Sequence, residues 1–307
     1  MRGWVASMDY IDLIQKTIDY IDDNITKKIT VEELANISGF STYHYYRIFH
    51  SFIGMPVMEY VTRRKLQYSI FHLSHGEKIL DIALNYGFET HAGFTKAFKK
   101  CFGYSPNYYR MHAPEGFPQK INLLNLKQNN VGGIVMEPKI INKDSFKIVG
   151  YKFNTTLRNN AHSRDIPAFW DKCDIEGKEA KLYRTQKPPR HGEYGICINT
   201  NIETDEFSYV LGVEVVNLDN TLEEMYKLEV PAATYAVFTT PEVDEKDFVN
   251  SIKGTWKYIL EEWFPNSGYE IDGDKLDFEF YDEHCHPWEY EKVSMNIYIP
   301  IIRRKIK

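Results

Sequence analysis

At 307 residues, with 43% hydrophobic and 15% aromatic side chains, the chain is long enough for two domains with ordinary cores and too apolar for a disordered protein. No apolar run approaches the roughly eighteen residues needed to span a bilayer, and the opening MRGWVASMDYID lacks a secretion signal's apolar stretch, so a cytoplasmic protein without membrane attachment is expected. The net charge of −6 is uneven, because residues 1–118 hold 13 Lys+Arg against 12 Asp+Glu and six of the ten His, which leaves the acidity in the remainder.

The four cysteines, Cys101, Cys173, Cys197 and Cys285, form no CxxC pair and read as reduced thiols. Residues 10–25 place Ile11, Ile14, Ile18 and Ile21 on one helical face with acids opposite, which predicts a packing helix. Thr30 and Glu33 form a capping box, with Thr30 as N-cap and Glu33 reaching back to its amide. Leu34, Ala35 and Ile37 follow, then Gly39 and a helix capped at Ser41. Pro56 suits the first position of a long helix through Tyr60, Leu66, Ile70 and Leu73, ending near Gly76. Ile79, Ile82, Ala83 and Tyr86 form the next helix, Gly87 supplies a turn, and Thr90 caps a helix to Cys101. Phe94, Ala97, Phe98 and Cys101 are its apolar stripe, leaving His91, Thr95, Lys96, Lys99 and Lys100 as a basic face able to enter a major groove.

That helix-turn-helix has an upstream copy. Ala35 and Ala83, like Gly39 and Gly87, are 48 positions apart, and LANISGF parallels IALNYGF. Ser105 and Pro106 open a last short helix to His112. An all-α double helix-turn-helix domain over 8–113 is expected, followed by a linker over 114–133 marked by Pro114, Gly116 and Pro118. The pattern Ser41-x-x-x-Tyr45-x-Arg47-x-Phe49, then RRKLQYS, then IALNYGFETHAGFTKAFKKCFGYSPNYYR, resembles the DNA-binding domain of AraC/XylS-type transcription regulators. The resemblance implies two recognition helices on double-stranded promoter DNA, with RNA polymerase as a further partner. It implies base-reading positions Thr42, Tyr43, Tyr46 and Arg47 on the first helix. On the second it implies His91, Ala92, Thr95 and Lys96, with Thr90, Lys99 and Lys100 beside them. Tyr45, on the apolar face, reads as core.

From Ile134 the period changes. Six β-rich runs, 145–153, 193–199, 209–216, 233–239, 276–281 and 295–301, are interrupted by helices near 166–173 and 248–263. The second domain, 134–307, is therefore expected to be α+β with duplicated strand-helix-strand-strand units. Phe278-Glu279-x-Tyr281 and Ile297-Tyr298-Ile299-Pro300, with VLGVEVV and VPAATYAVFTT, resemble GyrI-like effector-binding domains. The resemblance implies that Glu279 faces a cleft between the repeats that takes a small, amphipathic and often cationic effector. In a strand Glu279 and Tyr281 share one face, and Tyr298 with Trp256 or Trp263 is expected to add aromatic walls.

Glu283, His284, Cys285 and His286 are metal-capable, but consecutive residues on an extended segment point in opposite directions and no partner cluster has zinc spacing. No metal site or cofactor is expected, and no GxSxG, phosphate loop or GxGxxG is present. The expected function is a ligand-responsive transcription regulator and not an enzyme. Two alternatives stay open: a small-molecule hydrolase using Glu214 and Glu279 on a water, and a protein that sequesters a toxic compound. The sequence leaves the oligomeric state undetermined.

Overall fold

The computed structural model describes residues 2–112, 137–201, 204–219, 221–285 and 291–304, with side chains from Tyr10 onward; the expected linker, 114–133, and His286 lie outside them. The chain divides into two compact units, and the division falls after Cys101: residues 102–112 pack with the strand-rich remainder.

The first unit contains α1 (Arg2–Asp23), α2 (Val31–Ser38), α3 (Thr42–Ile53), α4 (Val57–Ser74), α5 (Ile79–Asn85) and most of α6 (His91–Phe102). Thr30 caps α2 by accepting the Glu33 amide, whereas the Glu33 carboxylate, expected to reach back to Thr30, instead accepts the Tyr20 hydroxyl. Pro56 stands one place before α4 as its N-cap rather than at the first helical position. The repeat is visible in the turns: Gly39 and Gly87 adopt φ of 71° and 79°, values only glycine reaches cheaply, and Ser41 and Thr90 then accept the amides of His44 and Gly93. Tyr45 is fully buried and donates to Thr17 Oγ1 at 3.0 Å, which makes it a core residue.

A buried ion pair ties α1 to α4. Arg64, 2% exposed, donates Nε and Nη2 to the two carboxylate oxygens of Asp22 at 2.9 and 2.8 Å, and Nη1 to Gln67 at 2.8 Å. The fork geometry returns two directed bonds for the desolvation of both charges.

The second unit begins with α7 (Pro106–His112) and continues through β1 (Lys139–Lys143), β2 (Phe146–Thr156), α8 (His162–Ile175), α9 (Lys178–Gln186), β3 (Glu193–Ile198), β4 (Glu206–Val215), β5 (Tyr226–Val230), β6 (Ala233–Thr239) and α10 (Phe248–Tyr258). A π-helical stretch, Ile259–Trp263, extends α10, and β7 (Tyr269–Ile271), β8 (Phe278–Tyr281) and β9 (Asn296–Arg303) complete the unit. All pairings are antiparallel, in the order β1-β6-β9-β8-β3-β4-β2-β5 with β7 beside β9. The strand-helix-strand-strand units are β2 to β4 and β6 to β9, and they meet through β3 and β8, where Gly195 lies opposite Glu279. One sheet face carries Ile148, Tyr194, Ile196, Val210, Tyr235, Phe278 and Phe280. The other carries Val149, Tyr151, Tyr209, Leu211 and Val213, packed under Phe169 and Cys173 of α8 and Leu182 of α9. The helix α9 and strands β1, β5 and β7 have no counterpart in the sequence reading.

Within this unit residues 102–112 are bound to both repeats. Arg110 donates to Asp205 Oδ1 at 2.9 Å and to the Leu157 carbonyl at 3.2 Å, Tyr104 donates to the Leu260 carbonyl at 2.6 Å, and the Ile271 amide donates to Gly103 at 2.9 Å. His162, at the start of α8, is buried; that burial, with His112 and Arg110 nearby, pulls its pKa from 6.5 down to about 4.

Two outcomes are expected. Asp22→Ala leaves the Arg64 guanidinium buried without its carboxylate and costs about 3–5 kcal/mol in denaturant unfolding, whereas the apolar double replacement Asp22→Leu/Arg64→Met costs much less. An equal loss in the two proteins would deny the pair its cost. For His162, the unfolded chain takes up a proton below pH 6.5 that the folded chain refuses, so stability is full above 6.5 and falls toward pH 4. His162→Gln is expected to remove about 3 kcal/mol of that pH dependence, read as the difference between wild-type and variant unfolding curves from pH 7 to 4.

Candidate functional site

Two sets of side chains stand apart from core packing. The first is on α3 and α6. Thr42, Tyr43, Tyr46 and Arg47 are all exposed on α3, Tyr43 by 74% and Tyr46 by 42%, while Tyr45 and Phe49 point inward. The Arg47 guanidinium lies 5.9 Å from the Tyr43 ring one turn away, so a planar cation and a phenol share one outer face. On α6, Thr90, Ala92, Lys96 and Lys100 are exposed, His91 and Lys99 are half-buried, and Phe94 and Phe98 are fully buried. Thr95 differs from the sequence reading: its hydroxyl oxygen turns inward and has no hydrogen-bond partner among the described residues. It follows Phe94 on the helix, so its rotation carries the side chain toward the apolar stripe.

The second set is built on β8, at the junction of the repeats. Alternation sends Phe278 and Phe280 into the aromatic face of the sheet and Asp277, Glu279 and Tyr281 toward the helices. The Glu279 carboxylate accepts two bonds, from Trp256 Nε1 at 2.9 Å and from the Tyr281 hydroxyl at 2.7 Å. Tyr281 packs against Trp170 of α8 at 4.9 Å, and Trp170 donates its indole N–H to the Tyr209 hydroxyl at 3.0 Å. Gly195, across from Glu279, makes this possible, because a Cβ there would lie 2.2 Å from that hydroxyl. Thus α8 gives one tryptophan and α10 the other, on either side of one carboxylate. Burial, reinforced by Glu279, holds the Tyr281 and Tyr209 phenols well above the ordinary range, and burial with Asp277 and Glu279 does the same to the Cys197 thiol.

The last turn of α7 closes this site. The His112 ring stacks on Trp256 with centroids 3.9 Å apart and planes 13° from parallel, and its Nε2 lies 2.9 Å from Oδ2 of Asp277. Tyr108, one turn earlier, packs beside both rings, its centroid 4.6 Å from that of His112 and 6.3 Å from that of Trp256. Burial and Asp277 push its hydroxyl pKa well up.

Of the expected ligand residues, the structure brings together Glu279, Tyr281 and Trp256. Tyr298 and Glu214 are corrections, for both lie on the opposite face. Tyr298 pairs in register with Phe278 and stacks on it at 4.5 Å. Glu214 pairs with Ile148, accepts the Tyr194 hydroxyl at 2.6 Å, and is reached by Arg190 at 3.0 Å, whose guanidinium lies over Phe280 at 4.4 Å. Burial opposes ionisation there, but Tyr194, Lys143 and Arg190 outweigh it and lower the Glu214 pKa. Trp263 is the third correction, packing on Phe238 and Tyr269 instead. The π-helical stretch carries it off the Trp256 line, which a straight helix would have kept.

Sequence reading missed Trp170, Tyr209, Asp277, Tyr108 and His112. Asp277 was available from period-2 alternation and the pair Tyr108 and His112 from helical spacing, whereas Trp170 and Tyr209 carry no local signal. Near the expected metal-capable run, ligand atoms of Asp282, Glu283 and His284 come within 4.8 Å of one another at the surface, with Asp282 in place of Cys285. An open cavity of about 610 Å³ lies elsewhere in the unit, between Asn154, Asp165, Asn201 and Glu206, and its walls are polar.

Comparison with known proteins bears on both sets. The family described as "Integron-associated effector binding protein" matches residues 139–301, more than half of the chain, and a "Helix-turn-helix domain" family matches 34–112. The uncharacterized HTH-type transcriptional regulator YbfP of Bacillus subtilis is 38% identical over 104 residues, 34% of this chain and 35% of its own length. This chain therefore spans about a third of that relative. The multiple antibiotic resistance protein MarA of Escherichia coli is 32% identical over 113 residues, 36% of this chain and 89% of MarA. A solved structure of SAV2435 bound to tetraphenylphosphonium is 20% identical, covers 54% of this chain and 94% of its own, and has a TM-score of 0.45. The chain belongs to the integron-associated effector binding protein family and carries, ahead of that GyrI-like domain, the helix-turn-helix domain of AraC-type transcription regulators.

Proposed function

We propose that this AraC-type regulator answers to a small cationic, largely apolar effector held by the Glu279 carboxylate of β8, and that α3 and α6 read its operator. The observation that carries the effector reading is Glu279: one carboxylate at the junction of two repeats, bonded by Trp256 and Tyr281 and walled by Trp170 and Tyr209. Among the described residues its donors are the neutral Trp256 indole and Tyr281 phenol, so a carboxylate partly withdrawn from water is left to a ligand's positive charge. Aromatic faces beside a carboxylate match the chemistry of an amphipathic cation.

The hydrolase alternative required Glu214 and Glu279 at one water. The two lie on opposite faces of the sheet, which separates them by a strand layer. The regulator reading needs no such pairing.

On DNA, Arg47 with Tyr43 and Tyr46 is the base-reading group, and Thr42, Thr90, His91 and Lys96 are its companions. Lys99 and Lys100 in the last turn of α6 serve phosphate. Thr95 is withdrawn from base reading because its hydroxyl faces inward.

Glu279→Gln keeps the shape and removes the charge. Titration of size-matched cationic and neutral compounds is expected to show the variant losing affinity for the cation while the neutral compound is unaffected; parallel losses would reject the effector reading. Arg47→Ala is expected to cost about 1–3 kcal/mol on operator DNA with little effect on random duplex. Lys99→Ala or Lys100→Ala is expected to weaken both duplexes and to lower the salt slope by roughly one unit. Equal losses on the two duplexes for Arg47→Ala, or an unchanged slope for the lysines, would remove those assignments.

A further inference from the structure

The proposed effector site is occupied in this structure by part of the chain itself. His112 is a flat ring laid on Trp256 at 3.9 Å, nearly parallel, with a ring nitrogen 2.9 Å from the Asp277 carboxylate, and the pair is mostly buried, its side chains 9% and 13% exposed. Trp256 is the same indole whose N–H is bound by Glu279, so the His112 position and the Glu279 site share one wall. Asp277 and Glu279 point to the same side of β8, two residues apart.

We infer that His112 stands in the subsite of a planar, N–H-bearing cation of the aryl amidine or aryl guanidine class, and that such a ligand binds by displacing the end of α7. The inference rests on the effector reading of Glu279 and adds a second carboxylate, Asp277, with a shape requirement. A flat amidinium offers two parallel N–H bonds to one carboxylate while its ring stacks on the indole, where the His112 Nε2 lies 2.9 Å from that carboxylate without hydrogen-bond geometry. A tetrahedral ammonium cannot lie flat on Trp256 and present a paired N–H edge at once. The helix end is suited to release: His112 is the last residue of α7, whereas the Arg110 bonds to Asp205 and Leu157 lie a half-turn back and anchor the rest. While His112 is seated, only the open fraction of molecules binds, and the apparent affinity is reduced by that fraction.

Benzamidinium and neutral benzamide are the probes, titrated into the full chain and followed by tryptophan fluorescence and amide hydrogen exchange. His112→Ala is expected to raise benzamidinium affinity roughly tenfold, as removing a competitor held closed nine times in ten would, and benzamide, which lacks the charge for Asp277, is expected to stay much weaker than benzamidinium in both proteins. Asp277→Asn in the His112→Ala background is expected to abolish the preference for benzamidinium. In the wild-type chain, benzamidinium is expected to speed exchange at the amides of 108–112. Because that measurement needs no substitution, a folding defect in a variant does not protect the inference. Unchanged or weaker benzamidinium binding by His112→Ala, or binding to the wild type without faster exchange at 108–112, overturns it. If cations then still bind in a Glu279-dependent way, the effector reading stands and only the His112 subsite fails; if Glu279→Gln binds them equally well, both fail.

Discussion

The hydrogen bond from Trp256 to Glu279 is the contact around which the polar groups at the second unit's sheet junction are arranged. It joins α10 of the second repeat to the strand that meets the first repeat, and it fixes the indole so that its face is presented to whatever lies beside Asp277. The constraint beneath it is the sheet junction itself. There Gly195 of β3 lies opposite Glu279 of β8, and the space left by its missing side chain is filled by the Tyr209 hydroxyl, which a Cβ would meet at 2.2 Å. A carboxylate placed there is flanked by one helix from each repeat, and both helices present a tryptophan. A duplicated fold thereby produces an asymmetric site, with an acid from one half opposite a glycine from the other.

The helix α7 belongs to two descriptions at once. Its residues fall at the end of the stretch matched by the helix-turn-helix family, 34–112, yet its Arg110 and His112, with Tyr104 just ahead of it, reach both repeats of the sheet unit. Buried, charge-assisted bonds such as Arg110 to Asp205 are costly to break, whereas a ring stacked at the last position of a seven-residue helix is not. The strength of attachment thus falls along α7 toward the site. The first unit is held by the same kind of charge-assisted bond in a different place, Arg64 to Asp22, where the side chains are 2% and 1% exposed.

Sequence reading succeeded wherever a local rule was sufficient. The two glycine turns, their Ser41 and Thr90 caps, the buried Tyr45, the outward Tyr43 and Arg47, and the shared face of Glu279 and Tyr281 all follow from periods of 3.6 and 2 and from the φ that glycine tolerates. The placing of Glu214 and Tyr298 failed for the reason that the others succeeded. Alternation says which residues of one strand share a face, but it does not say which faces of two strands coincide until the register is known, and a one-residue change of register reverses the answer. Phe278 opposite Tyr298 and Ile148 opposite Glu214 are facts of pairing.

What the sequence determined by itself is the duplicated helix-turn-helix and the duplicated strand-helix-strand-strand order, because each is written in spacing along the chain, whereas Glu279 was singled out through the resemblance of Phe278-Glu279-x-Tyr281 to GyrI-like domains. Only the tertiary structure decided what surrounds that acid. Trp170, Tyr209, Trp256 and His112 come from four elements, and Asp277 from the position just before β8, and no propensity or period links them. Their meeting is set by antiparallel register between β3 and β8, by the packing of α8 and α10 on one side of the sheet, and by the buried bonds of Arg110 that bring α7 to it. Those are long-range conditions, satisfied by burying apolar surface across the whole unit rather than by the preference of any one stretch.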